Sequence, residues 1–542
     1  MNNQGSLYCR EKNIPDLFWD YREIRMQGTG SMGDSWKYLS KEETIHDFRV
    51  LLVYANAPMD NLMPIGLSSL SGALKRRGFS VAIFDTTFYP WTDSTGGERK
   101  GTLQVPDFSY DEVGIRYKTT DVFEDFRKVV KEFRPGLIAL STVEPTHEFG
   151  MKLLTAVREF NIPTLVGGVH TTFSADDVIH EEDVDMVCIG EGEKPLVELA
   201  ECLARKIDCS SIQNLWVKKG STIIQNEIGP LISLEDLPEL DFSSYDPKRI
   251  FKPMAGKMYR MVPVEFSRGC MYDCTYCSAP AFAKKFRDQG KWLRFKSIEQ
   301  IMNEIRSYLD KYDVEYFYFV SETFLAMPKH RLAEFCKQYS KIGIPFWFNT
   351  RAETITQRKI RMLEDIGCHR MGMGVECGNE EYRIKMLHRR VSNERIVEAC
   401  NLVGNSSIQL SVNNIVGLPD ETRSMIFETI YLNRLIEADT YGCFIFQPYR
   451  GTFLHNYCVE KGYIDPKQLA NDPDVSPSIT QPSISADEVR GITRTFPLYV
   501  KFPKSDFDLI RKAEQFNDEG NRIFNDLSKI YREKYEKKRI RK

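Results

Sequence analysis

Short apolar runs alternate with helical stretches twice along this chain, and each series is the mark of parallel strands joined by crossovers. In the first, "FRVLLVYAN" (48–56), "SVAIFD" (80–85), "GLIALSTV" (136–143), "PTLVGGVH" (163–170) and "VDMVCIGEGE" (184–193) read as five strands of a Rossmann-like or flavodoxin-like sheet. In the second, "VPVEFSR" (262–268), "VEYFYFVSE" (314–322), "IPFWFNTR" (344–351), "RMGMGVECG" (370–378), "IQLSVNNIVG" (408–417) and "YGCFIFQPY" (441–449) give six βα units. Six are too few to close an eight-fold barrel but sufficient for a partial one. Between the two series, the acidic, proline-containing join "LISLEDLPELDFSSYDPKR" (231–249) lacks the periodicity of an element.

The α/β chain therefore divides into an N-terminal extension (1–46), a doubly wound Rossmann-like domain (47–225), a linker (226–254), a partial (β/α)6 barrel (255–462) and a mostly helical C-terminal region (463–542). An excursion at 86–121 is too long for a simple connection and reads as functional or mobile. With a formal net charge of -3, nothing suggests a nucleic-acid backbone or an anionic membrane as partner. The terminal "YREKYEKKRIRK" fits a solvated helix end. No stretch offers ~18 uninterrupted apolar residues, so no membrane span is expected, and the N-terminus does not read as a signal peptide. Thirteen cysteines, odd in number and scattered but for one cluster, argue for reduced thiols in a cytoplasmic protein.

That cluster is "SRGCMYDCTYCSAP" (267–280), which places Cys270, Cys274 and Cys277 just past the first strand of the second series, where α/β folds carry their active-site loops. Two thiols close a disulfide and four close a zinc site, so three on one loop suit a metal group that reserves a position for something else. Structural zinc would need a fourth protein ligand, and His180 and His330 are far away in sequence.

The C-x3-C-x2-C spacing, with Tyr276 just before the last cysteine, resembles the signature of the radical S-adenosylmethionine (SAM) superfamily. The resemblance implies a 4Fe-4S cluster on the three cysteines, an open iron chelated by SAM, and one-electron cleavage of SAM to a 5'-deoxyadenosyl radical. It also implies roles for later strands. Glu322 in "FVSETF" falls where the family places an acidic or polar residue toward the SAM amino group, although Ser321 departs from the usual pair of acids. Arg351 in "NTRAE" would pair with the SAM carboxylate, Glu376 in "GMGVECG" would meet the ribose, and Val416 and Gly417 in "NNIVGLPDET" would let backbone approach adenine. A buried ion pair between Glu376 and Arg351 is the structural alternative. The stretch "QPYRGT" is similar to the family's P-Y-P-G-T with Arg450 in place of a proline, and no role is carried onto it.

The first domain lacks G-x-G-x-x-G after its first strand, which weakens a nicotinamide reading. Small residues at strand ends, Ser141 and Thr142, Gly167 and Gly168, and Gly190, Glu191 and Gly192, leave room for a large flat ligand at the sheet's crevice. With "PIGLSSLSGALKRRG", which contains Gly66, these segments resemble the cobalamin-binding domain of cobalamin-dependent radical SAM enzymes. The resemblance runs over about residues 48 to 460. The motif D-x-H-x-x-G that supplies a histidine to cobalt in many such domains is missing, since "DNLMPIG" has no histidine; His170 is kept as a pocket-lining candidate.

Taken together, the resemblance implies methylation of an unactivated carbon of a small-molecule substrate, with SAM, a 4Fe-4S cluster and cobalamin as cofactors and an electron donor such as flavodoxin or ferredoxin. The alternative within the family is a cyclase or rearrangement enzyme like the anaerobic magnesium-protoporphyrin ester cyclase. A tRNA methylthiotransferase would need a second cysteine triad, for which Cys188, Cys202 and Cys209 are poorly spaced. The alternative of another class is a non-catalytic corrin-binding sensor, against which the intact triad counts.

Overall fold

The structure, a computed structural model, describes residues 47–60, 62–92 and 98–536. The N-terminal extension, part of the excursion and the end of the basic tail lie outside the described residues.

The first sheet has seven strands: β1 (Arg49–Tyr54), β2 (Ser80–Asp85), β3 (Leu137–Ser141), β4 (Thr164–Gly167), β5 (Met186–Cys188), β6 (Leu215–Lys219) and β7 (Thr222–Gln225). Their order is β2-β1-β3-β4-β5-β6-β7. The first five are parallel and lie in the apolar runs read from the sequence. This 2-1-3-4-5 order is the flavodoxin one, whose ligand crevice opens between β1 and β3 at the carboxyl ends of the strands. The antiparallel hairpin β6–β7 is an addition to the expected five. Its outer strand buries no residue fully, so it has no continuous apolar run to betray it.

The second sheet is built from β8 (Phe251–Met254), β9 (Lys257–Glu265), β12 (Tyr316–Val320), β13 (Phe346–Thr350), β14 (Cys368–Glu376), β15 (Gln409–Val416) and β16 (Thr440–Ile445), in the order β16-β15-β14-β13-β12-β9-β8. A two-stranded ribbon, β10 (Ser267–Arg268) with β11 (Arg294–Phe295), stands beside it. Six strands are parallel, as expected, and β8 is an antiparallel addition joined to β9 through Ala255 and Gly256, both at positive φ as a tight hairpin turn requires.

Alternation along the strands separates two faces. Phe317, Phe319, Phe346, Phe348, Met371, Met373, Leu410 and Val412 are fully buried in the core. The intervening Tyr318, Trp347, Asn349, Asn413 and Phe444 are half-buried on the other, concave face. A closed barrel fills that interior with branched aliphatic side chains. Here the sheet stays open, and β16 is capped instead: Cys443 N donates to Gln104 Oε1 of the excursion at 2.7 Å and Ile445 N to Pro473 O at 2.8 Å. The excursion thus reaches the second sheet through Gln104.

The join is not a free tether. Leu237, Leu240, Phe242 and Tyr245 are buried, and Arg249, 1% exposed, pairs with Asp85 of β2 at 2.7 Å. One apolar core runs from β1 through the join to β9–β16 and on to the C-terminal helices Ala486–Lys501, Phe507–Ala513 and Asp518–Tyr531. No helix among the described residues is long and apolar enough to cross a membrane.

Candidate active site

The cysteine loop leaves the carboxyl end of β9 through Gly269, whose φ of +90° and tight approach to Trp292 O exclude a side chain. Its three cysteines are free thiols. Burial, and then the charges of Cys274 and Cys270, push Cys277 up to about 11, and burial raises Cys270 as well. Thiols so placed become thiolates only with positive charge beside them. Each sulfur already receives or shares a hydrogen bond: Ala279 N donates to Cys277 Sγ at 3.5 Å, Arg351 Nη1 to Cys274 Sγ at 2.9 Å, and Thr323 Oγ1 lies 3.9 Å from Cys270 Sγ. Among the described residues, no three His, Cys, Asp or Glu side chains converge on one point as a single ion requires. Three thiols on one loop suit a multi-iron group that takes one thiolate per iron.

Glu322, Arg351 and Glu376, singled out on the second sheet, reach this loop directly or through Arg389. Glu322, after β12, is exposed and accepts from Gly269 N at 3.0 Å. Arg351, after β13, is 6% exposed. Its fork is occupied by Glu353 at 2.6 Å and by Cys274, and its face lies on the ring of Tyr272 at 3.7 Å. Glu376 ends β14 at φ +66°, an unusual conformation for a residue other than glycine, made possible because Gly374 leaves room for the carboxylate to fold back. Its partner is Arg389 at 3.1 Å, so the alternative ion pair with Arg351 does not form. Burial raises the Glu376 pKa, and Arg389 opposes that shift. Tyr276 accepts from Arg389 Nη1 at 3.1 Å through its hydroxyl oxygen. Val416 is buried in the core at 0% exposure. Gly417 turns at φ +74°, and its N–H and that of Leu418 are held by Glu421 Oε2 at 2.7 and 3.1 Å.

On the first sheet, a cavity of about 890 Å³ opens at the carboxyl ends of β1, β3 and β4 and is walled on the far side by Arg450 and residues 467–472. His147 and His170 line it, 6% and 3% exposed, with ring centroids 4.4 Å apart. Burial pushes them down to about 4 and about 3, so both are neutral, and His170 Nδ1 is buried without a hydrogen-bond partner among the described residues. Thr142 Oγ1 lies 3.4 Å from His147 Nδ1. Gly168, at φ +110°, passes so close to Thr142 O that a Cβ would sit 2.4 Å from it. Gly167 and Ser141 end neighbouring strands in register. Gly66, at the start of the helix Ile65–Arg76, has nothing within 4 Å of where a Cβ would stand.

Gly190, Glu191 and Gly192 meet the second domain or the neighbouring helix instead of open space. Phe286 packs on Gly190, Leu70 on Gly192, and Glu191 pairs with Arg294 at 2.6 Å. Arg268, two residues before Cys270, reaches Glu193 at 2.6 Å and Glu265 at 2.8 Å. The end of β5 therefore ties the first sheet to the cysteine loop.

Arg389, Glu353, Tyr272, Arg268 and His147 were not among the sequence candidates. Arg389 lies thirteen residues beyond Glu376 in a loop, and no spacing rule links them. Glu421 sat inside the "NNIVGLPDET" stretch, where an acid beside a positive-φ glycine was the available signal.

Comparison with known proteins bears on both halves. The B12 binding domain model matches residues 52–200 and the Radical SAM superfamily model residues 264–432. An uncharacterized methyltransferase of Pyrococcus horikoshii is 22% identical over 70% of this chain and 81% of its own length. The cytidylyl-2-hydroxyethylphosphonate methyltransferase of Streptomyces wedmorensis is 20% identical over 80% and 86%. Among solved structures, the radical SAM methyltransferase TsrM of Kitasatospora setae, with cobalamin and a [4Fe-4S] cluster bound, superposes with a TM-score of 0.60 at 13% identity, covering 89% of this chain and 99% of TsrM.

Proposed function

Because this chain belongs to the radical SAM superfamily and carries a B12-binding domain ahead of its open barrel, we propose that it methylates an unactivated carbon of a small molecule, using a 4Fe-4S cluster, SAM and cobalamin. The observation that carries this reading is that the cysteine loop and a histidine-lined cavity both lie where the two sheets meet. The cysteine loop leaves the carboxyl end of β9, and the histidine-lined cavity lies at the carboxyl ends of β1, β3 and β4. Arg268, Glu193, Glu191 and Arg294 bind one edge to the other.

Cys270, Cys274 and Cys277 would hold the cluster. Glu322, beside the loop where it accepts from Gly269 N, would take an ammonium group, and Glu376, paired with Arg389, would accept from ribose hydroxyls. Gly168, Thr142, His147 and His170 would line the corrin site. When bound, the cluster and SAM supply a carbon-centred radical, and cobalamin supplies a metal able to carry an alkyl group. The chain's own residues orient these groups and exclude water, which is where the protein's share of such catalysis lies.

The two methyltransferase relatives, matched over 70% and 80% of this chain, support transfer as the first reading. Anaerobic reconstitution with iron, sulfide and hydroxocobalamin, followed by incubation with methyl-deuterated SAM and metabolite extract under a flavodoxin or dithionite reductant, tests it. A product in which a trideuteromethyl group has replaced one hydrogen is expected. A product of unchanged carbon count would favour cyclisation, and failure to form 5'-deoxyadenosine would leave a sensor.

A further inference from the structure

Arg351 stands on a different strand from the cysteine loop, yet its guanidinium ends on one of the three thiols. Nη1 donates to Cys274 Sγ at 2.9 Å. Nη2 and Nε both donate to Glu353 Oε1, at 2.6 and 3.3 Å. The guanidinium plane rests on Tyr272, which lies between Cys270 and Cys274 in the loop, 3.7 Å from the ring centroid. With the side chain 8% exposed, the cation is fixed from three directions and shielded from solvent. Each of its three nitrogens thus has a partner, in the cysteine loop or on an acid.

From these contacts we propose that Arg351 sets the reduction potential of the cluster by acting through Cys274, with Glu353 as its counterweight. The assignment rests on the reading that the triad holds a four-iron cluster. One-electron reduction puts a further negative charge on the iron–sulfur core and its thiolates, and the electron comes from an external reductant. A permanent cation donating an N–H to a ligating sulfur stabilises the more negative state and raises the potential; hydrogen bonds to sulfur are among the levers that tune such clusters. Burial keeps water from screening the interaction. The Glu353 carboxylate, paired with the same guanidinium, works in the opposite sense.

This role differs from pairing with the SAM carboxylate, and the two are separable. The reconstituted full-length protein is titrated without SAM against a poised titanium(III) citrate series, the reduced cluster being read by electron paramagnetic resonance, and SAM affinity is measured by equilibrium dialysis. In Arg351→Met the reduced-to-oxidised ratio at a fixed potential is expected to fall on the order of tenfold, about 59 mV for a one-electron couple. Arg351→Lys, which keeps charge but loses the fork, should fall between. Glu353→Gln should move the ratio the other way. Opposite signs are what a merely structural role would not produce, and Arg351→Lys with Glu353→Gln keep the test intact if Arg351→Met fails to fold. Unchanged potentials, or shifts of one sign in Arg351 and Glu353 variants, overturn the proposal; so does weakened SAM binding with an unmoved potential. If wild-type protein assembles no four-iron cluster, the underlying reading of the triad fails first, and that outcome is distinguishable because no signal is there to titrate.

Discussion

Arg450 donates its backbone N–H to the Glu144 carboxylate at 2.6 Å, across the interface between the two sheets. The other oxygen of Glu144 accepts from Ala470 N at 3.0 Å, and the Arg450 side chain returns the contact by reaching Asp177 and Ser174 in the first domain. Each domain therefore sends one charged side chain into the other beside the histidine-lined cavity. The residue that departs from the family's proline in "QPYRGT" is the one that makes the return contact. Gly451, at φ +85° and pressed on Phe173, lets that loop come close enough.

Removing the first half of this clamp should be felt by the fold. Glu144→Ala leaves two backbone N–H groups without their acceptor at a site where Glu144 is 6% exposed. Each such orphan costs about 1–3 kcal/mol while it stays dry. A lowered Tm by differential scanning calorimetry and faster loss of bound hydroxocobalamin on gel filtration are expected. Wild-type behaviour in both would mean the interface stands without it.

Two glycines at the proposed corrin site should respond in opposite ways. Gly66 is helical with open space around it, so Gly66→Ala should stabilise the apoprotein by up to about 1 kcal/mol. Gly168→Ala forces a Cβ at φ +110° against Thr142 O and should destabilise by about 1–3 kcal/mol. Urea unfolding of the apo forms reads both. If cobalamin approaches Gly66, as the sequence resemblance implies, its dissociation constant should rise in the very variant whose fold has gained.

The Glu376–Arg389 pair is buried on both sides, 12% and 4% exposed. Arg389→Met strands the carboxylate, a change that typically costs about 3–5 kcal/mol. Adding Glu376→Gln should recover much of that loss, so the double variant should unfold at a higher urea concentration than Arg389→Met alone. Additive losses would show that the two residues act independently.

Glu421 gives the apoprotein a pH-dependent stability. Burial pushes it up to about 8 in the folded chain from about 4.5. Between those values the folded state holds a proton that the unfolded state has released. By linkage, this group's contribution to stability is present in full below about 4.5 and is lost as pH rises through about 8. Glu421→Gln, which keeps an acceptor for Gly417 N and Leu418 N, should flatten that slope in urea melts run across this window. An identical pH profile in the variant would remove Glu421 as its source.

The strands legible in the sequence are those of the two parallel series, whose apolar positions recur between helical stretches. Five of the first sheet and six of the second lie where those runs predict, because crossover helices cover parallel strands and the resulting alternation survives in one dimension. The additions, β6–β7 and β8, are half-exposed hairpins in which few positions need be apolar. The join read as a spacer because it has no period, yet Leu240, Phe242 and Tyr245 are buried in the common core. Burial of single residues in irregular backbone leaves no repeat to detect.

At the site, the chain's own order determined the cysteine loop: three thiols within eight residues are close whatever the fold does, because a short loop cannot separate them. Spacing also fixed which strand ends carry Glu322, Arg351 and Glu376, since each follows an apolar run. What it did not contain is which charges meet. Arg389 with Glu376, Arg351 with Cys274 and Glu353, Arg268 with Glu193, and Glu144 with Arg450 mostly join elements far apart in the chain or on different domains. Long charged side chains reach several ångströms in any direction, and only the packed tertiary structure selects the partner whose attraction outweighs the loss of water.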